Sequence, residues 1–146
     1  MVMRYRGEGE LTRDIDRLGE ALKDWQRYLE TVSLRQLLDS RDTRNMVLYA
    51  MLITIQAAIR TAHHLIVRAY LPKPGSYEET FLILREHGVL EAKLADAMAQ
   101  LAIYRQELLH SHHQIDLREI YEVLCNSAQT LELYKVKLEQ LVKDKH

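Results

Sequence analysis

Apolar residues recur at intervals of three and four along most of the chain. Leu11, Ile15, Leu18, Leu22, Trp25 and Leu29 form the first series, the spacing that puts side chains on one face of an α-helix. A polar, charge-rich stretch from Ser33 to Asn45 follows, with Leu34, Leu37 and Leu38 marking a further turn inside it. The pattern then predicts a long second helix from about Thr43 to Leu71. Pro72 and Pro74 end it, because proline lacks an amide donor and disfavours helix in the residue before it. Ser76 and Glu79 have the spacing of a capping box, opening a short third helix that Gly88 closes. A fourth helix is expected over about Leu90 to Leu109, with Leu90, Leu94, Met98, Leu101 and Leu108 near one face. After the polar break His-Ser-His-His-Gln, Asp116 and Glu119 form a second capping box, with Ile115 and Ile120 at the staple positions. The fifth helix carries Ile120, Leu124, Leu131, Tyr134, Leu138 and Leu141. No stretch alternates with period two for long enough to be a strand. The expected fold is an all-α, antiparallel bundle of about five helices, one domain over residues 1–146 with residues 1–9 flexible.

Composition narrows the class. At 146 residues and 47% hydrophobic content, the chain suits one globular domain and does not read as disordered. Lys plus Arg (20) nearly balances Asp plus Glu (21), leaving a formal net charge of -1. Global charge therefore cannot hold a nucleic acid, and any such site must be a local patch. Cys125 is the single cysteine, which excludes an internal disulfide and a multi-cysteine zinc site. Residues 1–10 contain no apolar stretch, so no secretory signal is expected and a cytoplasmic location is. Residues 46–59 are apolar except for Thr54 and Gln56, between Arg44 and Arg60. That run falls short of the roughly 20 residues a membrane span needs, so it is expected in a bundle core or a subunit interface, without a membrane. One small domain has limited capacity to bury such a helix on all sides, which predicts a homodimer.

The chain has no Gly-rich phosphate loop, HExxH, Cys-x-x-Cys or GxSxG, so the corresponding nucleotide hydrolases, zinc proteases and α/β-hydrolases find no support. The block from Tyr104 to Asp116, YRQELLHSHHQID, concentrates its polar chemistry instead. Arg105 and His110 are five positions apart, a turn of roughly 140° about a helix axis. They converge only if the helix breaks before His110, or if Arg105 of one subunit meets His110 of another across a two-fold axis. Histidine moves protons near neutral pH, and arginine holds phosphate and stabilises developing charge. RNA brings its own nucleophile, the 2′-hydroxyl, so such a pair needs no metal. The same residues also suit a helix C-terminus by complementing its dipole. His110, His112 and His113 have a feasible metal-binding spacing, but no carboxylate or cysteine completes a recognised pattern, and no cofactor is predicted. Of His63 and His64, one is expected packed and the other solvated, while Tyr28, Tyr49, Tyr104, Tyr121 and Tyr134 suit core or interface edges. Cys125 reads as a small buried hydrophobe.

The segment AAIRTAHHLIVRAYLPKPGSYEETFLILREHGVLEAKLADAMAQL, followed by YRQELLHSHHQIDLREIYEVL, resembles the HepT-like toxins of the HEPN superfamily, the HEPN half of prokaryotic HEPN/MNT toxin–antitoxin pairs. Two separately placed segments in the right order carry this resemblance over most of the chain. It implies a homodimeric HEPN-like bundle with a composite site at the subunit interface. It also implies metal-independent endoribonuclease activity on RNA and a cognate nucleotidyltransferase (MNT-type) antitoxin. The family's Arg-x(4)-His falls on Arg105 and His110, with Gln106 in place of the common Asn. Gln106, His112 and His113 are the supporting or substrate-binding candidates. Two residues beyond the histidine, where the family often carries a tyrosine that the partner adenylylates, this chain has His112. Ser111 and Tyr104 are the nearest alternative acceptors. The competing readings are a non-catalytic HEPN subunit that binds a nucleotide or a nucleotidyltransferase partner, and a purely structural dimer module.

Overall fold

A computed structural model describes the backbone of residues 2–110 and 115–143, with side chains from Gly9 onward. Within it the chain forms six helices, α1 (Val2–Thr31), α2 (Leu34–Asp39), α3 (Arg41–Arg68), α4 (Tyr77–Glu86), α5 (Ala92–His110) and α6 (Leu117–Lys143), and no strand among the described residues. The first helix begins at Val2, inside the segment expected to be flexible.

The sixth helix relative to the sequence expectation is α2. Its cause is a reciprocal cap. The Ser33 hydroxyl accepts from the Gln36 amide at 3.1 Å, and the Gln36 side-chain oxygen accepts from the Ser33 amide at 2.8 Å. That satisfies two amides that a six-residue helix would leave without partners. Ser40 then caps α3 by accepting from Thr43 at 3.2 Å. At α4 the expected box is modified. Ser76 accepts from the Glu79 amide, but the Glu79 carboxylate reaches past the cap residue to the Gly75 amide at 3.0 Å. Asp116 caps α6 through the Arg118 and Glu119 amides, and Ile120 is fully buried beneath it.

Two helices end in the same six-to-one and five-to-two pattern of carbonyl capping. At the end of α4, Val89 donates to Leu84 and Gly88 to Arg85, with Gly88 at φ +72. At the end of α3, Leu71 donates to Ile66 and Tyr70 to Val67. There the left-handed position holds Tyr70 at φ +57, the one non-glycine with positive φ among the described residues.

The core lies where α1, α3 and α6 meet. α1 runs antiparallel to both: its Trp25, fully buried, donates its indole N–H to the Leu124 carbonyl at 2.8 Å, while its Asp14 meets His64 of α3. Tyr134 of α6, fully buried, sets its hydroxyl against the Ala58 carbonyl at 3.0 Å and the Thr61 hydroxyl at 2.8 Å. Burial raises that phenol well above the tyrosine range. Its ring packs edge-on against Phe81 at 5.8 Å, joining α4 to the core. α5 packs antiparallel on α4, with Arg85 and Asp96 paired at 2.7 Å across the hairpin.

α3 is the central element. By length and composition it could cross a membrane, yet 56% of its most apolar window is buried inside the bundle, as in the core helix of a soluble protein. Val47, Met51, Thr54, Ile55, Ala58 and Ile59 are inside. The bundle thus covers more of the 46–59 run than its composition suggests, leaving Met46, Tyr49 and Ile53 exposed as a strip. Cys125, expected to be buried, is only partly so.

Candidate functional site

α5 delivers the candidate residues in sequence, and helical geometry divides them between two faces. The helix continues without a break through His110. The first of the two routes to convergence is therefore closed: Arg105 and His110 sit roughly 140° apart around one axis and about 7.5 Å apart along it. Among the described residues no hydrogen bond or ion pair joins them. His110 is exposed at the helix terminus, and Leu109 beside it is 45% exposed. Ser111, His112 and His113 lie outside the described residues.

Arg105 and Gln106 turn toward α3 and α4. The guanidinium carbon of Arg105 stands 5.6 Å from the centre of the Tyr77 ring, a cation–π contact. Its Nε is buried and has no hydrogen-bond partner, so a donor is left available at this point. Tyr77 in turn meets the His63 ring at 5.8 Å. His63 is oriented by the Thr80 hydroxyl at 3.1 Å. Burial, and secondarily the neighbouring His64, holds the His63 imidazole below the usual histidine range, so it is neutral at pH 7. Gln106, His63 and Tyr77 share the wall of a cleft of about 620 Å³ between the end of α3, the Pro-Lys-Pro-Gly loop and the start of α4. That volume is within the range for small-molecule and cofactor sites.

Tyr104 faces the other way, into a cleft against α6 that also carries Glu107 and Glu119. Burial first, then the charges of Glu119, Glu107 and Asp116, pushes its phenol well above the ordinary tyrosine range. A half-buried phenol among carboxylates is a poor place to bring a nucleotide triphosphate. The surroundings weigh against Tyr104 as a modification acceptor.

His63, Tyr77 and Tyr70 escape sequence reasoning at this site. His63 lies far from Arg105 in sequence and no local pattern links them, so only the α3–α4–α5 packing brings them together. The available signal was weak: a histidine on the same helical face as exposed Ile53 and Val67. The expectation that one of His63 and His64 would be packed and the other solvated is corrected. Both are partly buried and each has a partner, Thr80 for His63 and Asp14 for His64.

Comparison with known proteins follows the same lines. A family model described as Ribonuclease HepT-like matches residues 18–138. No curated protein sequence matches the chain. Among solved structures, a tri-AMPylated HEPN toxin of Shewanella oneidensis in complex with its MNT antitoxin superposes with a TM-score of 0.80 at 17% identity, covering 89% of this chain and 96% of that one. A toxin–antitoxin with AMP-PNP gives 0.81 at 17% identity, covering 89% and 97%. YutE of Bacillus subtilis, a cytosolic protein of unknown function, gives 0.71 at 18% identity, covering 89% and 91%. At these identities the superpositions establish the fold.

Proposed function

The chain belongs to the HepT-like ribonuclease family, and on that premise we propose that it is the endoribonuclease toxin of a prokaryotic toxin–antitoxin pair. It cuts RNA without a metal, with Arg105 of one protomer and His110 of its partner at a dimer interface. The observation that carries this reading is the unbroken course of α5 through His110. One copy of the helix points the two groups apart, and a second copy related by a two-fold axis is the remaining way to oppose them. Exposed Leu109 beside His110 supplies apolar surface for such a contact.

In the reaction the 2′-oxygen attacks the adjacent phosphorus and the bond to the 5′-oxygen breaks. His110 takes the 2′-hydroxyl proton, a water molecule protonates the departing 5′-oxygen, and Arg105 holds the non-bridging oxygens as charge builds on them. The product ends are a 2′,3′-cyclic phosphate and a free 5′-hydroxyl. RNA supplies its own nucleophile in the 2′-hydroxyl, so the pair needs no metal to generate one. The solved HEPN toxin in complex with MNT antitoxin supports an MNT-type nucleotidyltransferase as partner, and the structural likeness to YutE, described as cytosolic, supports the cytoplasm as the place where both meet RNA. Incubation with RNA in EDTA tests the reading. Wild type should cut and leave cyclic phosphate ends, while Arg105→Ala and His110→Ala should not cut. Activity lost in EDTA and restored by a divalent ion would defeat it.

A further inference from the structure

The cleft beside Arg105 does not end at His63. The same imidazole forms a wall of a second cleft, of about 490 Å³, which runs along α1 and α3 and carries Arg13, Arg17 and Arg60. The two clefts differ in character. The first is mainly apolar, with Tyr70, Tyr77 and Gln106 in its lining, Lys73 its one invariably charged residue, and no carboxylate. The second sets three arginines against Glu10 and Asp14. Asp14 is already engaged by Arg17 at 2.9 Å and by His64 at 3.4 Å. Arg13 and Arg60 are exposed and in no ion pair with a described residue. A chain with net charge -1 thus concentrates unpaired cations next to its candidate site.

Tyr70 adds an independent sign. It is 81% exposed at the mouth of the first cleft, and it stands at φ +57, where glycine or asparagine is the ordinary residue. A large ring held in strained backbone, gaining little from burial, calls for a reason outside folding. Aromatic faces next to a cationic groove are the equipment with which proteins hold single-stranded nucleic acid.

We infer that the two clefts form one track for single-stranded RNA, in which a base stacks on Tyr70 and Tyr77 beside Gln106 and the flanking backbone runs past His63 along Arg60 and Arg13. The inference rests on the ribonuclease reading and names where its substrate lies. The neutral His63 imidazole offers the strand a hydrogen bond without charge, and Lys73 reaches it from the loop side. The track supplies the local basic patch that binding requires, and the amide of Gln106 can donate to and accept from a base edge.

The test uses a fluorescein-labelled RNA of about ten nucleotides with 2′-O-methyl sugars, which cannot supply the nucleophile. Anisotropy gives its affinity for the full chain across a salt series. Tyr70→Asn keeps a residue that tolerates positive φ, so it should fold and yet bind at least about 5-fold more weakly, while Tyr70→Phe binds as wild type. Arg13→Ala with Arg60→Ala should flatten the salt dependence by about 1.4 in log–log slope, while Arg35→Ala, at a distant exposed pair with Asp39, changes nothing. If Tyr70→Asn and the double arginine variant bind like wild type, the track is wrong, even if wild type cuts unmodified RNA. If those variants lose binding but wild type never cuts RNA, the track stands and the ribonuclease reading falls. Loss of nucleotidyltransferase binding with RNA affinity intact would assign the surface to the protein partner and overturn the inference.

Discussion

The guanidinium of Arg105 rests 5.6 Å above the ring of Tyr77, so the cation from α5 is supported by the residue that opens α4. The cap at Ser76 fixes where α4 begins, and hence where that ring stands. The candidate phosphate-binding arginine is therefore placed by a helix start rather than by a neighbouring carboxylate.

Removing the ring should loosen Arg105 without removing it. A contact of this kind is worth about 0.5–2 kcal/mol, so Tyr77→Ala should lower kcat for RNA cleavage by roughly 2- to 30-fold at saturating substrate. Tyr77→Phe should stay near wild type. An unchanged kcat in Tyr77→Ala would show that Arg105 is positioned by something else.

Trp25 is the largest fully buried side chain and ties α1 to α6 through the Leu124 carbonyl. Trp25→Ala should cost about 3–5 kcal/mol, read as a fall in the urea midpoint. A loss under 1 kcal/mol (about one fifth of the upper figure) would mean that α1 contributes little to the core.

Much of this architecture was legible because it is local. The three-four spacing from Leu11 to Leu29, the prolines after α3 and the caps at Ser76 and Asp116 each act within a turn or two, and each appears where its chemistry puts it. α2 was legible only as a further turn at Leu34, Leu37 and Leu38, since six residues are too few for the pattern to separate a helix from a turn, and the capping-box spacing of Ser33 and Gln36 went unused. The left-handed cap at Tyr70 was hidden by its residue type. Arg105, Gln106 and His110 are candidates from their motif, whereas Tyr77 and His63 meet Arg105 and Gln106 only through packing between distant segments.

The two left-handed caps should respond differently to substitution. No atom lies within 4 Å of a methyl group added at Gly88, so Gly88→Ala isolates the backbone cost, about 1–2 kcal/mol of lost stability. Tyr70→Asn should leave stability unchanged or raise it. Thermal unfolding of both variants checks this, and a destabilised Tyr70→Asn would contradict the strain assigned to that position.

His63 should make stability depend on pH. Its imidazole is held below the ordinary value of 6.5, chiefly by burial, so the unfolded chain binds its proton first as pH falls. The contribution is complete above about pH 6.5 and declines as the pH drops through the folded value. Urea midpoints at pH 7.5 and 5.5 should differ less in His63→Gln than in wild type. Equal differences would place the pH dependence elsewhere.

The residue two beyond His110 is His112, not tyrosine, and Tyr104 stands among carboxylates. An imidazole forms at most a hydrolysable phosphoramidate. Incubation with the cognate nucleotidyltransferase and ATP should therefore leave the intact mass unchanged while cleavage is still inhibited. A stable adenylate mapped to Ser111, His112 or Tyr104 would overturn this.

The central claim is that each site draws Arg105 and His110 from different protomers, and mixing two inactive variants tests it most directly. In a heterodimer of Arg105→Ala and His110→Ala chains, one composite site keeps both groups and the other loses both. Co-refolded equal amounts should regain about a quarter of wild-type RNA cleavage, because half the dimers are mixed and each has one intact site. A mixture as inactive as its parents, with heterodimers demonstrated by mass and wild type cutting under the same conditions, would contradict it.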